Sequence, residues 1–186
     1  MKLSKIPVEI NLLTGELSGD KIECKVRTLA DMQGVFRDEA ARQSMDPNTH
    51  IYRTHSYCPV KQGEEGGLFW GTTFLEPGLV GDEYFMIKGH YHSKRKCSEY
   101  YLVVGGQGTL LLMDEQRRAY SESMRPGTLH YIPANTAHRV VNTGGSVLVF
   151  LACWPSDAGH DYDIITAAGF GARLQKVGGV PTLVDE

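Results

Sequence analysis

The strongest constraint on the fold of this chain lies between residue 50 and about residue 155, where one short β-prone segment follows another with no helical stretch between them. "HIYRTHSYCPV", "GLFWGTTFLEPG", "EYFMIKGHYH", "SEYYLVVGG", "GTLLLMDEQ", "RAYSESMRPG", "TLHYIPAN", "AHRVVNTGG" and "SVLVFLACWP" each carry β-branched or aromatic residues. Pro77-Gly78, Gly105-Gly106, Pro126-Gly127, Pro133 and Gly144-Gly145 break them with turn chemistry. Strands at this density predict an all-β antiparallel sandwich or barrel.

The flanks differ. Residues 1–49 read as an N-terminal extension packing on the core: "VEINLLTGELSG" alternates around a Thr14-Gly15 turn. "VRTLADMQGVFRDEAARQSM" (26–45) has the composition of one or two short helices, interrupted at Gly34. Over 156–186, "AGHDYDIITAAGF" predicts a short capped helix and "LQKVGGVPTLVD" a terminal hairpin or arm. With 186 residues the default is a single domain.

Composition narrows the partners. At 41% hydrophobic and 22% charged the chain can bury a core, and a formal charge of −3 argues against a nucleic-acid or anionic-membrane binder. No window approaches the roughly 18 apolar residues of a membrane span. The 4 cysteines, Cys24, Cys58, Cys97 and Cys153, form no C-x-x-C pair, and no cationic, apolar leader opens the chain. The expectation is a cytoplasmic protein with reduced thiols and a small-molecule partner.

Chemistry concentrates in "IKGHYHSKRKCSEYYLVVGG". On a strand, residues i and i+2 share a face, so His90 and His92 point together and suit a first-row divalent metal. After the spacer "SKRKCS", Glu99 opens the next strand and can return beside them as an oxygen ligand. His138, which follows the Pro133-Ala134-Asn135 turn, is the fourth candidate. Three imidazoles and a carboxylate leave positions on an octahedral metal for water or substrate. An isolated His-x-His is weak, since His50, His55, His130 and His160 show that histidine is not rare here; the combination carries the reading.

These segments resemble the two sequence motifs of the cupin superfamily: His90-x-His92, Glu99 and Gly106 for the first, and Gly127-x5-Pro133-x-Asn135-x2-His138-x3-Asn142 for the second. Asn135 stands where the general pattern has glycine, and asparagine also tolerates positive φ. The six-residue gap between His92 and Glu99 is longer than in most cupins. Together with "TTFLEPGLVGDEYFMIKGHYH", "VRTLADMQGVFRDE" and "PSDAGHDY" it resembles the archaeal-type, metal-dependent cupin glucose-6-phosphate isomerases.

That resemblance implies a cupin jelly-roll β-sandwich or barrel with short flanking helices, usually a homodimer, holding Fe2+ or a similar divalent ion (Mn2+, Ni2+ or Zn2+). It implies reversible conversion of glucose 6-phosphate and fructose 6-phosphate in glycolysis and gluconeogenesis, with His90, His92, Glu99 and His138 as ligands. Thr73, Gly89, Tyr101, His160 and Tyr162 fall where family members approach the sugar phosphate. Relatives often have threonine at Ile87 and tyrosine at Asn135 and Trp154, so Lys88 or Thr72 becomes the substitute donor; Thr72 would face outward unless its strand bulges at Gly71. Glu99 is the candidate base, or a ligand only. Tyr101 positions O1 or fills the barrel. His160, a candidate catalytic group with Glu99 and Tyr101, closes the mouth with Tyr162, or both pin the C-terminal element. Competing readings are a cupin dioxygenase, a mannose 6-phosphate isomerase and a non-catalytic sugar-binding cupin.

Overall fold

The computed structural model describes residues 8–185; residues 1–7, part of the expected N-terminal extension and of the stretch read as carrying no leader, and residue 186 lie outside it. In chain order the strands are β1 (Val8–Ile10), β2 (Leu17–Gly19), β3 (Ile22–Thr28), β4 (His50–Tyr57), β5 (Leu68–Leu75), β6 (Leu79–Val80), β7 (Glu83–Tyr84) and β8 (Glu99–Gly105). They continue as β9 (Gly108–Met113), β10 (Ala119–Met124), β11 (Leu129–Ile132), β12 (Ala137–Val141), β13 (Leu148–Pro155), β14 (Ala172–Val177) and β15 (Val180–Asp185). A 3-10 turn spans Leu29–Met32; the α-helices are α1 (Glu39–Ser44) and α2 (Asp163–Ala168). No helix among the described residues is long and apolar enough to cross a membrane.

The main layer is a six-stranded antiparallel sheet in the order β11-β8-β13-β5-β4-β3. A three-stranded sheet, β10-β9-β12, and a four-stranded sheet, β15-β14-β7-β6, complete the sandwich. The reason is visible in the alternation of β8: Glu99, Tyr101 and Val103 are buried while Tyr100 is exposed, so one face of the ladder seeks a second layer. That layer comes from β9 and β12, whose Leu110, Leu112, Val140 and Val141 are fully or almost fully buried in one core with Phe150 and Val103. Truncating such a side chain to alanine costs about 3–5 kcal/mol.

Two expectations needed correction. The stretch "EYFMIKGHYH" is not one strand: only Glu83–Tyr84 is laddered, and beyond it Met86, His90 and Tyr91 make isolated bridges to Val141, His138 and Asp161. Gly89 sits at φ +74°, a left-handed conformation that interrupts any regular ladder. The helical reading of 26–45 began too early. Val26–Thr28 finish β3, the edge strand of the main sheet, and the short helices follow. Asp38 caps α1 by accepting a 2.8 Å bond from the Ala41 N–H.

The hairpin of β1 and β2 lies across the outer face of the main sheet. The Thr72 hydroxyl donates to the Gly15 carbonyl at 2.7 Å, and Glu16 accepts from Arg53 at 2.7 Å. β5 pairs with β4 and β13 without a bulge, so Thr72 does face outward, and its hydroxyl is committed to the hairpin. All 4 cysteines are free thiols.

Candidate metal centre and active site

Each of the four ligand candidates arrives from a different local cause. His138 lies on β12, and a pair of backbone bonds, His90 N–H to His138 O at 3.2 Å and His138 N–H to His90 O at 3.0 Å, sets His90 opposite it. Asn135 makes the turn before β12 at φ +60°, the left-handed conformation asparagine tolerates, and its N–H donates to Arg95 O at 2.7 Å. Glu99 opens β8. His92 is oriented by its own spacer: Nδ1 lies 3.1 Å from the Cys97 carbonyl, which only accepts, so Nδ1 carries the proton and Nε2 presents its lone pair inward.

The donor atoms of His90, His92, Glu99 and His138 lie within 4.8 Å of one another, and all four residues are buried. Glu99 Oε2 is 3.1 Å from His92 Nε2 and 3.3 Å from His138 Nε2, while His90 Nε2 is buried with no hydrogen-bond partner. An inward lone pair beside a carboxylate needs a cation between them, and an orphaned imidazole nitrogen needs an acceptor of its own lone pair. A divalent ion meets both demands, so the residues fit a metal. The ionisation states agree. Burial, then the neighbouring His138, His160 and His92, hold His90 well below its usual range, so it stays neutral. Burial raises the Glu99 carboxyl, but the closeness of the His138 and His92 imidazoles outweighs it and brings the value to about 2.

The quartet opens on a cavity of about 760 Å³. Its wall contains His90, Glu99, Tyr101, Thr73, Lys88, Gly89, His160 and Tyr162, with His92 and His138 behind the wall, while Asn135 lies outside the lining. Register explains the wall: Val103, Phe150, Thr73, Thr54 and Lys25 pair successively across five strands and so share the inward face. Tyr101 packs its ring on Phe150 at 4.8 Å and edge-on to His138 at 5.8 Å. Burial and the Glu99 carboxylate push its phenol well above the usual 10, so it remains a donor. At the mouth, the rings of His160 and Tyr162 stack (5.9 Å, 7°) and lie 4.4 and 5.5 Å from the His90 ring.

Lys88 and Gly89 are placed by Arg139, which reaches across with Nε at 3.2 Å and Nη2 at 2.8 Å from the Lys88 carbonyl. A Cβ on Gly89 would meet that guanidinium at 2.9 Å. Ile87 and Trp154 also line the cavity, the indole lying over Gly71 where a Cβ would come within 3.1 Å. Asn135 serves the turn.

Sequence reasoning missed Lys25 and Arg27 of β3, and Tyr52 and Thr54 of β4, all cavity-lining. β3 is four strands from β8 in the sheet, so these cations face the metal quartet from the far wall. Burial holds the Tyr52 phenol up at about 12. The signal was the alternation Glu23, Lys25, Arg27 in "IECKVRT", a strand with one charged face.

The chain is similar to known proteins over most of its length. A family model described as "Glucose-6-phosphate isomerase (GPI)" matches residues 26–181. The glucose-6-phosphate isomerase of Thermococcus gammatolerans is 43% identical over 181 residues, 96% of this chain and 93% of that protein. That of Pyrococcus furiosus is 39% identical over 178 residues, 96% and 93%. A protein of Rhizobium meliloti named putative glucose-6-phosphate isomerase 2 is 37% identical over 164 residues, 87% and 80%. Among solved structures, a mutant of Bacillus subtilis oxalate decarboxylase overlays 59% of this chain and 27% of its own at a TM-score of 0.46 and 19% identity. With most of its length matched at this level, the chain belongs to the glucose-6-phosphate isomerase family.

Proposed function

We propose that this protein is a metal-dependent glucose-6-phosphate isomerase, interconverting glucose 6-phosphate and fructose 6-phosphate. The observation that carries the reading is the union, in one cavity, of a buried three-histidine, one-carboxylate cluster with donors and cations on the facing wall. Fe2+ is the resident ion we expect, held by His90, His92, Glu99 and His138; bound there, it supplies Lewis-acid stabilisation of the charge that develops on O1 and O2.

The chain's own residues do the rest. Both imidazole contacts of Glu99 use Oε2, so Oε1 is the oxygen clear of the histidines, and it takes a proton from one carbon and returns it to its neighbour. Tyr101 donates its hydroxyl proton to a sugar oxygen. Thr73, the Gly89 N–H and Lys88 hold the phosphate, with Arg27 and Lys25 completing the positive field. His160 and Tyr162 cover the mouth and keep water from the enediol. A homodimer, a cytoplasmic location and a place in glycolysis and gluconeogenesis complete the proposal; light scattering tests the first.

A coupled assay of fructose 6-phosphate to glucose 6-phosphate after chelation and re-metallation decides the activity. Restored turnover under anaerobic conditions supports isomerisation and excludes an oxygenase. No turnover with any divalent ion overturns it. Solvent deuterium in the transferred position supports the enediol path; its absence favours a direct hydride shift.

A further inference from the structure

The spacer Ser93–Ser98 separates His92 from Glu99 yet contributes no ligand to the quartet. Its contacts run elsewhere. Lys94 Nζ pairs with Asp157 at 2.5 Å, and the Lys94 N–H donates to the Ala158 carbonyl at 2.9 Å. Arg95 pairs with Asp161 at 2.7 Å, its guanidinium lying 4.1 Å over the Tyr91 ring. Tyr91 and Asp161 exchange both backbone bonds, at 3.1 and 2.8 Å. Ser93 closes on Gly159, where a Cβ would meet Ser93 Oγ at 2.9 Å. Apart from the stacking of Arg95 on Tyr91, each of these contacts falls on residues 157–161, the segment that leads into and flanks His160.

Within the segment Ala158 is buried, and the other residues are half-buried or exposed. His160 and Tyr162 are exposed at the mouth, and α2 beyond them has one buried residue, Ile165. The mouth end of such a loop, at His160, is kept in one geometry by the partners that over-determine it. The partners here come from the spacer. Because the same spacer fixes the His92 tautomer through the Cys97 carbonyl, one loop sets both the ligand and the roof above it.

We infer that the spacer is a clamp, and that Lys94 and Arg95 are positioning residues that hold the His160–Tyr162 stack over the substrate through Asp157 and Asp161. This deepens the isomerase reading and rests on His160 and Tyr162 touching the sugar phosphate. Arg95 is neither one of the four ligands nor part of the cavity wall; its effect passes through Asp161.

A double-mutant cycle tests the clamp. In metal-loaded enzyme Arg95→Ala and Asp161→Asn each lower kcat/KM for fructose 6-phosphate by about three- to tenfold, the scale of a partly exposed ion pair acting on a bound substrate. Both leave metal stoichiometry and Tm near wild type, and both speed amide exchange over residues 157–161. Combined, they cost no more than either alone. In a His160→Ala/Tyr162→Ala background, Arg95→Ala has no further effect, and exchanging the charges (Arg95→Asp with Asp161→Arg) recovers part of the loss. A folded Asp161→Asn variant with wild-type kcat/KM overturns the clamp even if the Arg95 variant misfolds, as does an undiminished Arg95→Ala effect in the background lacking both rings. Wild-type kinetics in that background itself overturns both the clamp and the contact reading beneath it, which separates the two failures.

Discussion

Glu99 combines two demands that usually conflict: it is buried against three histidines and must remain an anion. Replacing it with glutamine keeps shape and one ligating oxygen but removes the base. Glu99→Gln is expected to keep its metal stoichiometry and lose isomerisation by about 100-fold or more; a variant with metal content and rate both preserved would exclude Glu99 as base. The neighbouring threonines make a second contrast. Thr72→Val strips the bond to the Gly15 carbonyl and is expected to cost about 1–2 kcal/mol by denaturant titration, with kcat/KM unchanged. Thr73→Val, on the inward face, is expected to do the reverse, raising KM with little change in stability. Gly89 tolerates neither space nor conformation for a side chain. Gly89→Ala forces φ +74° and a contact with Arg139, so about 1–3 kcal/mol of stability should be lost along with most turnover.

Among the elements, the legible ones were those whose pattern is local. The alternation in "SEYYLVVGG" and the turn at Pro133 place Glu99 and His138 correctly because each obeys a rule spanning a few residues. "EYFMIKGHYH" failed as a strand because its apolar run says nothing of the partner it lacks; His90 and His92 converge through isolated bridges rather than a ladder. β3 was hidden for the opposite reason. Its residues are exposed or half-buried, so the usual apolar signal is missing, and its membership in the main sheet depends on pairing with β4. The clamp left no local signal, since Asp157 and Asp161 lie far along the chain from Lys94 and Arg95. Its acid response follows from Asp157. The Lys94 ammonium holds that carboxyl below its usual 3.8, so folding favours the anion. The stabilisation is complete above the unfolded value and lost as pH falls through the folded one. Amide exchange over residues 157–161 should therefore accelerate below about pH 3.8, before the main sheet opens.

For the whole molecule, the sandwich and the metal quartet are one object. Two of its four ligands, His90 and His138, have buried imidazole nitrogens with no hydrogen-bond partner, so the metal-free protein carries uncompensated buried polar groups. An ion that binds only the folded state adds RT ln(1 + [L]/Kd), about 4 kcal/mol at a thousandfold excess over Kd. Chelation is thus expected to lower Tm by about 10 °C for a domain of this size, reversed by re-addition of the ion and measured by calorimetry. An unchanged Tm after verified metal removal would mean that the quartet is already satisfied within the protein.

The antiparallel bridge between His90 and His138 has a kinetic corollary. It joins the two halves of the ligand set across a long stretch of chain, and loop-closure entropy delays such non-local pairings until the local hairpins have formed. The nascent polypeptide therefore has no complete ion trap until barrel closure, and metal uptake in a refolding experiment becomes a clock for that last event.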